Sequence, residues 1–128
     1  MKAVAMRLLV VDDSNMIRSR ISRAVQSGAL PGLSVVGVAR NGAEALRVAR
    51  ATQPDLVTMD LTMPEMDGVE CIGEMLRMLP RASILVVSAL SDKSTAIQAL
   101  RLGARGFLAK PFSDEELKLA LLEVMEGK

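Results

Sequence analysis

Short apolar runs recur along the chain at Leu8–Val11, Leu33–Ala39, Leu56–Met59, Ile84–Val87 and Gly106–Ala109. Each run is nearly continuous rather than alternating, and a strand reads that way when both of its faces are covered. Between the runs, apolar residues return with helical spacing. Ile17, Ile21, Ala24 and Val25 form one stripe, and Val69, Ile72, Leu76 and Leu79 form another. Ala96, Ile97, Leu100 and Ala104 mark a third stripe, and Leu117, Leu121 and Val124 a fourth. An Ala-rich stretch from Ala43 to Ala51 supplies one more helix, ended before Pro54. Strand and helix therefore alternate throughout, which predicts a doubly wound α/β domain around a parallel sheet.

In an open parallel sheet, ligand chemistry gathers at the carboxyl ends of the strands. Here the first run ends in Asp12 and Asp13, the third in Asp60, the fourth in Ser88 and the fifth in Lys110. The second contributes nothing comparable, since Ala39 and Arg40 follow it. Taken singly, an Asp after a strand is ordinarily a turn residue or helix cap, Ser88 a cap and Lys110 a surface charge. Their joint placement on successive strand ends is what points to chemistry. Three carboxylates at one rim repel one another and resist burial unless something compensates. An oxygen-seeking divalent cation does so, and Mg²⁺ favours one or two carboxylates, a carbonyl, waters and a phosphate oxygen. Asp13 and Asp60 can ligate it directly, Asp12 can hold its waters, and the Thr62 carbonyl can complete the set. Lys110 suits a phosphoryl oxygen, and the Ser88 hydroxyl can donate to another. This is equipment for phosphoryl transfer, with Asp60 as the nucleophile.

Composition excludes several other classes. The chain has 128 residues, half of them hydrophobic, which suits one domain with a single core. A net charge of +1 gives no field that would favour nucleic acid or a membrane surface. Arg18, Arg20 and Arg23 spread around one predicted helix and read as a solvated face. Cys71 is the sole cysteine, so no intrachain disulfide is possible, and it reads as inert packing. The nine methionines read as core filler in a chain without Trp or Tyr. Arg7 and Asp12 interrupt the first apolar run, so no secretory leader or membrane span is expected, and a cytoplasmic location follows.

The motifs "LLVVDDSN", "MDLTMPEMDG", "VVSALSD" and "AKPF" closely resemble those of response-regulator receiver domains, and the likeness extends over nearly the whole chain, residues 1–128 being expected to form one such domain. The resemblance implies a flavodoxin-like sheet of five strands in the order 2-1-3-4-5. It matches the acidic pair to Asp12 and Asp13, the phosphoacceptor to Asp60, the hydroxyl residue to Ser88 and the lysine to Lys110. Pro64 and Gly68 agree with the family's loops. It also implies a cis bond before Pro111 and a switch in which Ser88 moves to the phosphoryl group while Phe107 turns inward. The face of the fourth helix, fifth strand and fifth helix would then meet partners. Phe107 alone would read as core filling.

With no output domain in the sequence, the chain looks most like single-domain chemotaxis regulators. The donor would be a histidine kinase, the partner a flagellar-switch or other effector protein, and a phosphatase is possible. No turnover of an external substrate is expected. A receiver cut from a longer regulator with esterase or DNA-binding output stays open. An aspartyl-nucleophile phosphatase fits less well, because the position two after Asp60, where a second acid would stand, is Thr62. A nucleotide- or flavin-binding module would want a glycine-rich first turn, and "DDSNM" has none. Leu90, two places after Ser88, is bulky and apolar, so slow loss of a phosphoryl group is expected.

Overall fold

The structure, a computed structural model, describes residues 5–63 and 66–127, with the backbone alone at Leu90. Pro64 falls outside the described residues. Strand β1 is Met6–Val11, followed by α1, Asn15–Ala24, which runs into a π-helical turn at Val25–Ala29. β2 is Leu33–Ala39, α2 Gly42–Thr52, β3 Leu56–Met59 and α3 Gly68–Met78. β4 is Ser83–Ala89, α4 Lys93–Leu102, β5 Gly106–Lys110 and α5 Asp114–Glu126. The strands form one parallel sheet in the order β2-β1-β3-β4-β5.

Alternate residues of each strand enter opposite layers, which explains why the strands read as unbroken apolar runs. Leu9, Val11, Val57, Met59, Ile84 and Val86 pack beneath α2, α3 and α4. Leu8, Val10, Leu56, Leu85, Val87 and Leu108 pack beneath α1 and α5, against Ile21, Leu117 and Leu121. The α5 stripe of Leu117, Leu121 and Val124 is buried as its spacing predicts.

The α4 stripe is only half buried, with Ala96 and Ala104 in the core and its two large residues outside it. Ile97 and Leu100 are 42% and 43% exposed, while Ala96 and Ala99 make the buried face. Spacing alone cannot choose between two adjacent faces, and the small residues are the ones that let this helix approach the sheet. Cys71 is fully buried, and burial pushes its thiol up to about 12, so it is inert as expected.

Candidate functional site

Register brings the acidic residues together. Val11 pairs with Met59, so the next residue on each strand, Asp12 and Asp60, emerge side by side. The Asp60 N–H donates to the Val11 carbonyl and the Asp12 N–H to the Ala39 carbonyl, both at 3.0 Å. Asp12 and Asp60 are buried and Asp13 exposed, and ligand oxygens of all three lie within 4.8 Å of one another. On the other side, Ala89 pairs with Lys110, which places Ser88 and Lys110 at the same edge.

Lys110 Nζ lies 2.8 Å from Asp12 Oδ2 and 3.6 Å from Asp60 Oδ1. Asp12 Oδ2 is buried without an aligned hydrogen bond, so the ammonium beside it is its counter-charge. Asp12 Oδ1 accepts from the Ser14 N–H at 2.9 Å, and the Arg18 guanidinium donates to the Asp12 carbonyl at 2.6 Å. Arg18 is therefore a brace for the acidic corner, not part of a solvated face. Arg20 likewise pairs with Asp114 and lies over the Phe112 ring, and of the three arginines only Arg23 is exposed.

Desolvation by burial, then the charge of Asp12, pushes the Asp60 carboxyl up to about 7. The Thr62 N–H, donating to Asp60 Oδ1 at 3.2 Å, and Lys110 oppose this without cancelling it. Burial alone would lower Lys110, but its close ion pair with Asp12 and the charges of Asp60 and Asp13 outweigh burial and raise it. The corner thus holds more negative charge than one lysine neutralises, which suits a divalent cation.

Gly68 closes the corner from the far side. Its N–H donates to the Leu61 carbonyl at 3.1 Å. A Cβ at this position would run into the Asp60 carbonyl oxygen and lie 2.5 Å from Leu61 Cα. Both obstacles are backbone, so only glycine fits.

Ser88 is buried, and its hydroxyl donates to Asp92 Oδ2 at 2.8 Å. The Thr62 hydroxyl donates to the same oxygen at 3.1 Å. Asp92 lies beyond any strand end and escapes an inventory of strand ends; its one signal is an acid four residues after Ser88 where a helical stretch begins. The Leu90 side chain, expected to exclude water, lies outside the described residues. Phe107 is half-buried against the layer of α2, α3 and α4, and the Lys110–Pro111 bond is cis. A cleft of about 660 Å³ between α1 and α5 contains none of the candidate residues.

The family model described as the response regulator receiver domain matches residues 8–122. The chain belongs to the response-regulator receiver family. This receiver domain is 38% identical to the chemotaxis protein CheY of Thermotoga maritima, over 92% of this chain and 96% of that protein. It is 47% identical to a protein-glutamate methylesterase/protein-glutamine glutaminase of Halobacterium salinarum, over 80% of this chain and 29% of that protein. Among solved structures, it is similar to the Borrelia burgdorferi CheX-CheY-BeF3-Mg+2 complex, with a TM-score of 0.86 and 27% identity. That match covers 95% of this chain and 90% of the other. It is thus a CheY-like receiver of a two-component response regulator. The acidic cluster agrees with the Mg²⁺ pocket of such domains, and no helix of the described residues is long and apolar enough to cross a membrane.

Proposed function

We propose that this receiver is switched by phosphorylation of Asp60. The observation that carries the reading is the meeting of buried Asp12 and Asp60 with half-buried Lys110, and with Asp13 at the exposed edge. Mg²⁺ would be held by Asp12, Asp13, Asp60 and the Thr62 carbonyl, and when bound it supplies the charge that ionises Asp60 and neutralises a phosphoryl group.

An Asp60 carboxylate oxygen attacks phosphorus, and the bond from phosphorus to the donor's leaving atom breaks in line with it. Lys110 remains close to Asp60 through the transfer and balances charge on the phosphoryl oxygens. The chain has no histidine, so phosphohistidine must come from another protein, a histidine kinase, unless a small phosphodonor serves. Ser88 then turns towards the phosphoryl group, Phe107 moves inward, and the face of α4, β5 and α5 changes for a downstream partner.

Likeness to CheY proteins over nearly their full length supports a role in chemotaxis, with a flagellar-switch or similar effector as partner, a phosphatase to reset it and a cytoplasmic setting. The methylesterase likeness supports a second reading, the receiver of a longer regulator. In neither reading does residues 1–128 turn over an external substrate.

The test is intact mass spectrometry after incubation with Mg²⁺ and acetyl phosphate. One phosphoryl mass should appear on the wild type and none on Asp60→Asn. Undiminished phosphate on the variant overturns the assignment.

A further inference from the structure

Asp92 stands at the N-cap position of α4, where an acid ordinarily accepts a backbone N–H of the first turn. It makes no such bond. Its carboxylate oxygen Oδ2 is instead held by the hydroxyls of Ser88 at 2.8 Å and Thr62 at 3.1 Å. Asp92 is also the last residue of a 3₁₀ turn, Leu90–Asp92, that runs straight into α4, and its ψ is 23°, whereas the caps of α1, α2, α3 and α5 have ψ between 117° and 171°. Each of those caps accepts from the N–H three residues on, a position held in α4 by Thr95. Asp92 and Thr95 line the same cleft of about 590 Å³, so there is room for the carboxylate to turn.

One carboxylate therefore faces two uses, a latch on Ser88 and Thr62 or a cap on α4. A phosphoryl group on Asp60 would replace the single charge of its carboxylate with nearly two, and would bring strong acceptor oxygens closer to Ser88. Thr62 links the two acids, since its N–H donates to Asp60 and its hydroxyl to Asp92. The new acceptor competes for the Ser88 hydroxyl, and the new charge repels the Asp92 carboxylate.

We propose that Asp92 is a positioning residue with two stations: it latches Ser88 before phosphorylation, then releases it and caps α4 at the Thr95 N–H. The proposal deepens the reading of Asp60 as phosphoacceptor and rests on it for its trigger. It assigns to a residue outside the phosphorylation site the link between that site and the start of α4.

The test is amide hydrogen exchange at Thr95, read by NMR. In the wild type, Mg²⁺ with beryllium fluoride or acetyl phosphate should slow it by about fivefold, the size of a typical cap. Asp92→Ala should take up phosphate yet show no slowing, and Asp92→Asn, which can still cap, should restore it. In phosphate-free buffer, Thr62→Val with Ser88→Ala frees the carboxylate and should slow Thr95 exchange without any trigger. Unchanged Thr95 exchange in that double variant, or equal slowing in Asp92→Ala, overturns the latch. A wild type that takes up no phosphate overturns the functional reading instead, and the phosphate-free experiment still decides the latch.

Discussion

Helices α1, α2, α3 and α5 start on Ser14, Asn41, Asp67 and Ser113, each with a side chain accepting from the N–H three residues on. Helix α4 starts on Asp92, which makes no cap bond, and its first turn carries Lys93 and no acid, although a helix N-terminus favours negative charge. The α3 start is fixed further, by Gly68 against the backbone of Asp60 and Leu61. Two helices thus begin beside the candidate site in opposite conditions. The α3 start is a wall that sets where Asp60 sits, and the α4 start, which follows a 3₁₀ turn at Leu90–Asp92, has no side-chain cap to fix it.

The contrast is broken most severely at the wall. Gly68→Ala forces a methyl group into backbone that cannot yield without displacing Asp60. We expect a loss of about 3 kcal/mol in urea denaturation, the upper range for overpacking, together with slower phosphate uptake. An unchanged midpoint would show that the α3 start is no more rigid than the α4 start.

The next effect comes from holding Asp60 against this wall beside Asp12. Its carboxyl is raised from 3.8 to about 7 by burial and by Asp12. Between those values the folded protein keeps a proton that the unfolded chain has released, so stability falls as pH rises. From pH 5.5 to 7 the decline attributable to Asp60 is about 2 kcal/mol in metal-free buffer. Asp60→Asn should remove it, and saturating Mg²⁺, which favours the carboxylate, should reduce it. Parallel stability profiles for wild type and Asp60→Asn would refute this origin.

The same two regions divide what was legible in the sequence. Asp12, Asp13, Asp60 and Lys110 end strands whose apolar runs mark them plainly, and β2 and β3 have the boundaries their runs predict. The acidic corner could be assembled on topology alone. Around α4, pattern was a poorer guide. Its large residues Ile97 and Leu100 draw the eye as a core stripe, yet Ala96 and Ala99 face the sheet. Asp92 escapes a reading of strand ends, because a sequence shows that an acid starts a helix but not which donor reaches it first. Arg18 was hidden similarly, since its bond to the Asp12 carbonyl depends on where α1 lies over β1.

Truncating the caps sharpens the comparison at a smaller scale. Ala at Asn41, Asp67 or Ser113 should cost about 1 kcal/mol each, since every one loses a bond to a first-turn N–H. At α4 the loss should run through Ser88 instead. A double-mutant cycle on Ser88→Ala and Asp92→Ala should give a coupling of about 1 kcal/mol, while Asn41→Ala and Asp92→Ala should add within a few tenths. Absence of coupling between Ser88 and Asp92 would mean that the latch contributes nothing to stability.

The smallest effect is expected at Lys93. It is exposed and occupies the first helical position of α4, where its charge opposes the helix dipole. Helices α2, α3 and α5 each carry an acid in the first turn: Glu44, Glu70, and Asp114 to Glu116. Lys93→Glu would give α4 the charge pattern of its neighbours while touching neither Ser88 nor Asp60. Stability to urea should rise by about 0.5 kcal/mol, and more at low salt than at high salt, because exposed charges are screened. Residues adjacent in a helix do not face each other, so repulsion from Asp92 should be the lesser effect. A fall in stability at low salt would show that negative charge around Asp92, rather than the helix dipole, governs the α4 start.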